Sequence, residues 1–184
     1  MLRLAAERAD LIVRWVVFSG SGGREAEARS SAAAFLQGDA RHRIDVLQYR
    51  DGYFPFAGAD IKDAFEGIRR DFDPSLILTH WRGDAHQDHQ LIANLTHQTF
   101  RDHLILGFEI PKYDSDLGNP NLFVPLTQNQ MQQKIRLILD QFKSQRSRTW
   151  FTDQTFLAVA RLRGIACNAS EGVAEGFHVG KVVF

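Results

Sequence analysis

Short apolar runs rich in β-branched residues alternate with segments of helical periodicity along most of this chain, and that order restricts it to an α/β layered domain with a largely parallel sheet. Leu2, Leu4, Ala5 and Ala6 read as the tail of an amphipathic helix, and Leu11 to Ser19 as a buried strand. Ser19-Gly20-Ser21-Gly22-Gly23 makes a turn, and Arg24 to Leu36, with Ala26, Ala33, Ala34 and Phe35, has a helix-forming composition. A second strand at Ile44–Leu47 ends in the turn signal Arg50-Asp51-Gly52. From Ala59 to Phe72, Ile61, Ala64, Phe65 and Ile68 recur at three- and four-residue intervals, which predicts a helix with one face on a sheet. Ser75 to His80 is the clearest buried strand; the loop Trp81–Ala85 follows it, and His86 opens a helix carrying Leu91, Ile92, Leu95 and Phe100. Leu104–Ile110 is a further strand, Pro111–Asn121 a long polar loop, Asn129–Lys143 and Thr152–Arg163 helices, and Val173–Phe184 a last strand closed by Val182-Val183-Phe184.

At 184 residues the chain matches one domain of about 100–200 residues. The 22 Lys and Arg balance the 22 Asp and Glu, so no net field draws in a polyanion, and nucleic acid is excluded as a first choice of partner. The longest apolar stretches, Leu11–Val13 and Trp15–Phe18, are split by Arg14 and fall far short of the roughly 18 residues that span a bilayer. The opening residues lack the pattern of a secretory signal, and the lone Cys167 allows no internal disulfide, so a reducing cytoplasm is the expected setting.

Chemistry concentrates in Thr79-His80-Trp81-Arg82-Gly83-Asp84-Ala85-His86-Gln87-Asp88-His89, which holds three of the chain's seven histidines. His86 and His89, three apart at a helix start, share a face and can converge on one point. Imidazole with carboxylate suits zinc or a similar divalent ion. Each acid also has a plain structural use. Asp84 can cap the helix by accepting backbone N–H bonds, and Asp88 favours the positive end of the helix dipole. Carboxyl ends of strands are where ligands collect in open α/β sheets, and a buried strand delivers this turn to such an edge.

The pattern Asp84-x-His86-x-Asp88-His89, after a strand and opening a helix, resembles the second signature of the zinc-dependent N-deacetylases of the PIG-L/LmbE-like family. Arg24-x-x-Glu27, Asp51-Gly52, Arg163-Gly164 and Ala174-Glu175-Gly176-Phe177 resemble further landmarks of that family in the right order, so the likeness covers the whole chain as one domain, 1–184. Glu109-Ile110-Pro111-Lys112-Tyr113-Asp114 and Gln145-Arg146-Ser147 resemble a bacterial subgroup linked to sugar and polysaccharide biosynthesis. The resemblance implies a Rossmann-like three-layer sandwich with a mostly parallel sheet, and removal of an N-acetyl group from an amino sugar such as N-acetylglucosamine, or from a glycoconjugate. It implies that His89 binds zinc, that His86 stabilises or protonates the tetrahedral intermediate, and that Asp88 tunes or orients His86. Asp84, Arg24, Lys112, Tyr113 and Glu175 are the implied substrate contacts.

The family's first signature, His-Pro-Asp-Asp-Glu after an opening strand, supplies two metal ligands and the general base, and it does not occur here. The resemblance places Met1 just downstream of that segment. One protein ligand remains where catalytic zinc takes about three, so the chain as written is expected to bind zinc poorly, to lack the family's first strand and to be inactive. The expected origin is a fragment or an internal start, and the coding DNA ahead of Met1 tests it; zinc is expected in the complete protein.

Other signals have simpler readings. Ser19–Gly23 could cradle a phosphate with backbone N–H groups, but Glu25 stands where Gly-x-Gly-x-x-Gly needs its last glycine, and a plain turn fits better. Trp15, Trp150, Phe151 and Phe156 suit core packing, and Cys167 an inert thiol. Two readings follow: a zinc-dependent hydrolase of an N-acetylated sugar, and a non-catalytic sugar- or nucleotide-sugar-binding protein that has lost its metal. Metal content and amidase activity separate them; the oligomeric state stays open.

Overall fold

The computed structural model describes residues 1–21 and 23–182. Gly22 of the glycine turn and the strand end expected at Val183-Phe184 lie outside the described residues. The elements follow the order α1 (Leu2–Glu7), β1 (Arg14–Val17), α2 (Glu25–Phe35), β2 (Arg43–Val46), α3 (Gly58–Asp71), β3 (Leu76–His80), α4 (Gln87–Thr99), β4 (Leu104–Phe108), β5 (Leu122–Pro125), α5 (Gln128–Gln141), α6 (Asp153–Ala166) and β6 (Ala174–His178), with a single 3₁₀ turn at Phe54–Ala57 and another at Lys143–Gln145. This is the Rossmann-like α/β order expected from the sequence. The chain divides into two compact units, residues 1–50 with 125–174 and residues 51–124 with 175–184.

In the first unit β1 and β2 pair in parallel, Arg14 beside Arg43 through Val17 beside Val46. Their register places Arg14 against Asp45, with Nε 2.8 Å from Oδ2 and only 7% of the arginine side chain exposed. Ala32, Leu36, Met131 and Val173 are the centre of this unit's core. The α5 start is a capping box: the Thr127 hydroxyl accepts the Gln130 N–H, and the Gln130 side chain accepts the Thr127 N–H.

In the second unit the strand order is β3-β4-β6-β5. β3 and β4 are parallel, Leu76 opposite Leu104 through His80 opposite Phe108, whereas β6 runs antiparallel to β4 with Phe177 opposite Phe108. The expected face of α3 is the buried one, with Ile61 fully buried and Phe65 nearly so. Thr79 on β3 and Thr96 on α4 are both buried; the Thr96 hydroxyl donates to Ile92 O and lies 3.1 Å from the Thr79 hydroxyl, which fixes the end of the strand against the helix that carries the histidines. No helix among the described residues is long and apolar enough to cross a membrane.

Candidate active site

Strand β3 delivers His80 and then a tight turn in which Asp84 N–H donates to Trp81 O at 3.1 Å. Asp84, 2% exposed, directs one carboxylate oxygen to each side of this turn. Its Oδ1 accepts the His86 N–H at 2.8 Å, and its Oδ2 lies 2.9 Å from His89 Nδ1 and 3.0 Å from Lys112 Nζ. Burial works to raise the Asp84 pKa, but the hydrogen bonds from His89, the His86 N–H and Lys112 outweigh it and hold the carboxyl well below the usual carboxylate range. Asp84 is therefore an acceptor only, and the proton it receives from His89 sits on Nδ1. That leaves the His89 Nε2 lone pair available to a metal, the carboxylate–histidine arrangement that orients zinc ligands.

His86 is set up in the opposite sense. It occupies the N-cap of α4 with extended backbone (φ −72°, ψ 124°), and its Nδ1 accepts the Asp88 N–H at 3.3 Å. A ring that accepts at Nδ1 carries its proton at Nε2 in the neutral tautomer, so His86 presents a donor. The two rings lie close, with centroids 4.6 Å apart. His80 also stacks on His89, at 4.1 Å, and its Nδ1 is buried without a partner. Burial, followed by the charge of His89, pushes the His80 pKa down to about 3, so His80 is neutral in this stack.

The Asp88 carboxylate is 2% exposed and accepts the Gly52 N–H at 2.6 Å and the Phe54 N–H at 3.0 Å. Gln87 adds a hydrogen bond from Nε2 to Gly52 O. Thus the first turn of α4 holds the Asp51–Phe54 loop, and Gly52 has the positive φ (+77°) that this loop requires. Asp88 reaches His86 through its backbone N–H, while its two carboxylate oxygens serve the loop.

Among the implied substrate contacts, Asp84 and Lys112 meet directly. Lys112, whose side chain is 9% exposed, bridges Asp84 and Asp116, and Asp116 accepts the Ala85 N–H at 2.6 Å. Tyr113 is exposed beside them in sequence. Glu175 lies on β6 in the second unit, and Arg24 caps α2 in the first, where its Nε reaches Ser21 O at 3.5 Å. Sequence reasoning missed Asp116, which lies with Lys112 in the non-helical loop after β4, where no regular spacing links the two. Glu109 is a candidate sugar contact in the sequence, but nothing there connects it with His178 and Trp81. Glu109 accepts the Gly118 N–H at 3.0 Å and lies 3.6 Å from His178 Nε2, and His178 stacks on Trp81 at 4.2 Å.

Among the described residues, no group of three or more His, Cys, Asp or Glu side chains is placed to hold a metal ion. The donor set fits one zinc ligand, His89, with its orienting carboxylate, and does not fit a complete zinc centre.

Residues 12–100 match the family model described as PIG-L, GlcNAc-PI de-N-acetylase, which bears out the resemblance read from the sequence. A comparison with curated proteins gave no match. Several solved structures share the fold. The 4-carboxy-2-hydroxymuconate hydratase of Pseudomonas putida is 16% identical, with 93% of this chain and 85% of that one covered and a TM-score of 0.68. The N,N'-diacetylchitobiose deacetylase of Pyrococcus horikoshii is 17% identical, with 97% and 75% covered and a TM-score of 0.66. A structure described as the zinc-inhibited form of the teicoplanin deacetylase is 14% identical, with 98% and 91% covered and a TM-score of 0.68.

Proposed function

We propose that this chain, whose residues 12–100 carry the PIG-L pattern, is an N-deacetylase that removes the acetyl group from an N-acetylated amino sugar or glycoconjugate. One observation carries the reading: two neighbouring imidazoles meet opposite partners at Nδ1, His86 the Asp88 N–H and His89 the Asp84 carboxylate, which favours opposite tautomers. His86 Nε2–H is a donor for the acetamide oxygen and for the negative charge that grows on it, and it can pass a proton to the departing amine. His89 Nε2 is an acceptor-only nitrogen suited to a metal. Asp88 keeps His86 at the mouth of the helix. Asp84 and Lys112 act on the substrate through His89, and exposed Tyr113 touches it directly. The deacetylases among the structures of this fold support the sugar-related substrate class. The single cysteine supports a reducing, cytoplasmic setting.

Zinc enters this reading as an ion with one ligand here. His89 supplies one imidazole where catalytic zinc takes about three protein ligands, so the 184-residue chain is expected to hold zinc poorly and to be inactive or to keep only residual turnover. The test is acetate release from a panel of N-acetylated amino sugars and their glycosides, with and without added Zn²⁺, for the native chain and His86→Ala. Residual release at most, falling at least about 10²-fold in the variant, is expected. Release that survives His86→Ala overturns the reading. Sugar binding with no release from any member of the panel assigns the chain instead to the non-catalytic binding class, a reading favoured by the lack of a three-ligand group among the described residues.

A further inference from the structure

We infer that Trp81 is a positioning residue: its indole wedges the loop of residues 111–121 against the Asp84 turn, so that Lys112 and Asp116 reach that turn and Asp84 is held on His89. What His89 is held for, a metal, rests on the N-deacetylase reading above. Trp81 is tied to β4 by its N–H, which donates to Phe108 O at 3.0 Å, and its indole lies face to face with the His178 ring of β6, centroids 4.2 Å apart and planes inclined by 14°. The benzo edge of the indole then meets glycine backbone in two loops. A Cβ at Gly83, in the turn after β3, would stand 2.6 Å from Trp81 Cη2 and 2.7 Å from Cε2. A Cβ at Gly118, in the loop after β4, would stand 2.5 Å from Cη2 and 2.9 Å from His178 Cε1. Carbon atoms in contact stand about 3.5–4 Å apart, so a side chain at either position displaces the ring. Neither glycine is required by its backbone. The positive-φ glycines are Gly23, Gly38, Gly52 and Gly172 among the described residues, and Gly83 and Gly118 are not with them. What their missing side chains serve is the approach of the indole.

The wedge sets both sides of the Asp84–Lys112 contact. On one side, Gly83 directly precedes Asp84, whose Oδ2 is shared by His89 Nδ1 at 2.9 Å and Lys112 Nζ at 3.0 Å. On the other, Gly118 lies two residues beyond Asp116, which accepts the Ala85 N–H at 2.6 Å. The loop has further ties beside the indole: Glu109 accepts the Gly118 N–H at 3.0 Å, and the Asn121 side chain donates to Val179 O at 2.9 Å and accepts the Val179 N–H at 2.8 Å. A loop displaced at Gly118 therefore carries Asp116 off Ala85 and Lys112 off the oxygen that Asp84 gives to His89.

Two measurements test this without turnover or metal. Histidine nitrogen NMR at about pH 8.5, where an ordinary imidazole is neutral, reads which His89 nitrogen carries the proton, and amide exchange reads the Ala85 N–H. The native protein is compared with Trp81→Phe, which draws the ring back from both glycines, with Gly118→Ala, which inserts a methyl group, and with the double variant, in which the methyl takes space that the shorter ring leaves. Native His89 is expected to be protonated at Nδ1. Each single variant should lose that preference and quicken Ala85 exchange about tenfold beyond its change in global stability, as loss of one hydrogen bond to a carboxylate does. The double variant should return both readings to within about threefold of native. Single variants with native readings, or a double variant no better than the worse single one, overturn the role of Trp81 and leave the deacetylase reading intact. Should a variant fail to fold, the native protein decides: the Ala85 and Gly118 amides should open together, with protection equal within about threefold, and independent opening overturns the wedge. A native His89 protonated at Nε2 removes the metal role given to His89, and the positioning fails with it.

Discussion

Asp84 Oδ2 and His89 Nδ1 stand 2.9 Å apart, five residues apart in sequence, with the carboxylate nearly buried and Lys112 Nζ 3.0 Å from the same oxygen. This contact decides which nitrogen of His89 can meet a metal, and Lys112 at the same oxygen ties the turn after β3 to the loop after β4. Asp84→Asn keeps the shape and removes the charge. It should weaken zinc binding by about 10–100-fold, as loss of a carboxylate behind a ligating histidine does. It should also cost about 3–5 kcal/mol of stability, because buried Lys112 loses one of its two acids. Zinc titration and urea unfolding read the two effects separately.

His89→Ala and His86→Ala should part company. His89→Ala removes the imidazole whose Nε2 the Asp84 contact leaves to a metal and should abolish the weak zinc binding of this site. His86→Ala should leave zinc affinity within about threefold and slow acetate release by about 10²–10⁴-fold. Equal loss of zinc in both variants would contradict the opposite tautomers on which the division rests.

His80 makes stability sensitive to acid. Its pKa falls from 6.5 in the unfolded chain to about 3 in the folded one, first through burial and then through His89. Between those values the unfolded chain binds a proton that the folded chain refuses. The contribution is therefore whole above pH 6.5 and is lost as pH drops towards about 3, by at most about 1.4 kcal/mol per pH unit. Asp84 acts in the same direction at lower pH, since its folded pKa lies below 3.8. His80→Phe, which keeps a ring against His89, should flatten the stability profile between about pH 6.5 and 4 in metal-free buffer. A profile parallel to that of the native protein would remove His80 from the account.

Asp88→Ala strands the Gly52 and Phe54 N–H groups that its carboxylate satisfies. A loss of about 2–4 kcal/mol is expected, at about 1–3 kcal/mol for each buried donor left unpaired. Amide exchange at Gly52 and Phe54 should quicken by more than the global loss accounts for, since the loop is released as well as the fold weakened.

The Asp88 contacts show where sequence reading stops. Periodicity located α3, β3 and α4 to within a residue or two, because Ile61, Phe65 and the Leu76–His80 run each carry their burial in their own spacing. The His86–His89 pair was legible for the same reason, one helical turn bringing both rings to one face. What joins Asp88 to Gly52, or Lys112 to Asp84, is a contact across 36 or 28 residues, and no local pattern encodes it. The short strand β5 also escaped, since four residues beside a proline carry too little alternation to register. The antiparallel β6 was legible as a strand but not in direction, because strand direction depends on how the chain returns.

Gly164→Ala tests whether Gly164 is a packing requirement. Arg163-Gly164 lies within α6, where a glycine ordinarily costs about 1 kcal/mol against alanine, so its presence in a helix needs a reason. The reason is contact. A methyl group at Gly164 would stand 2.3 Å from Gly172 O and 2.6 Å from Val173 N, both backbone atoms, in a turn where Gly172 holds a positive φ (+70°) and Val173 is fully buried. Neither side can yield without moving α6 or the segment that enters the core. Gly164→Ala should therefore destabilise by about 2–4 kcal/mol in spite of its better helix propensity. Gly67→Ala on α3, where the new methyl meets only the far end of Arg70 at 3.8 Å, should stabilise by about 0.5–1 kcal/mol. Thermal unfolding of the two single variants compares the same chemical change in two helices, and equal shifts would mean that the close approach at Gly164 is not what keeps it a glycine.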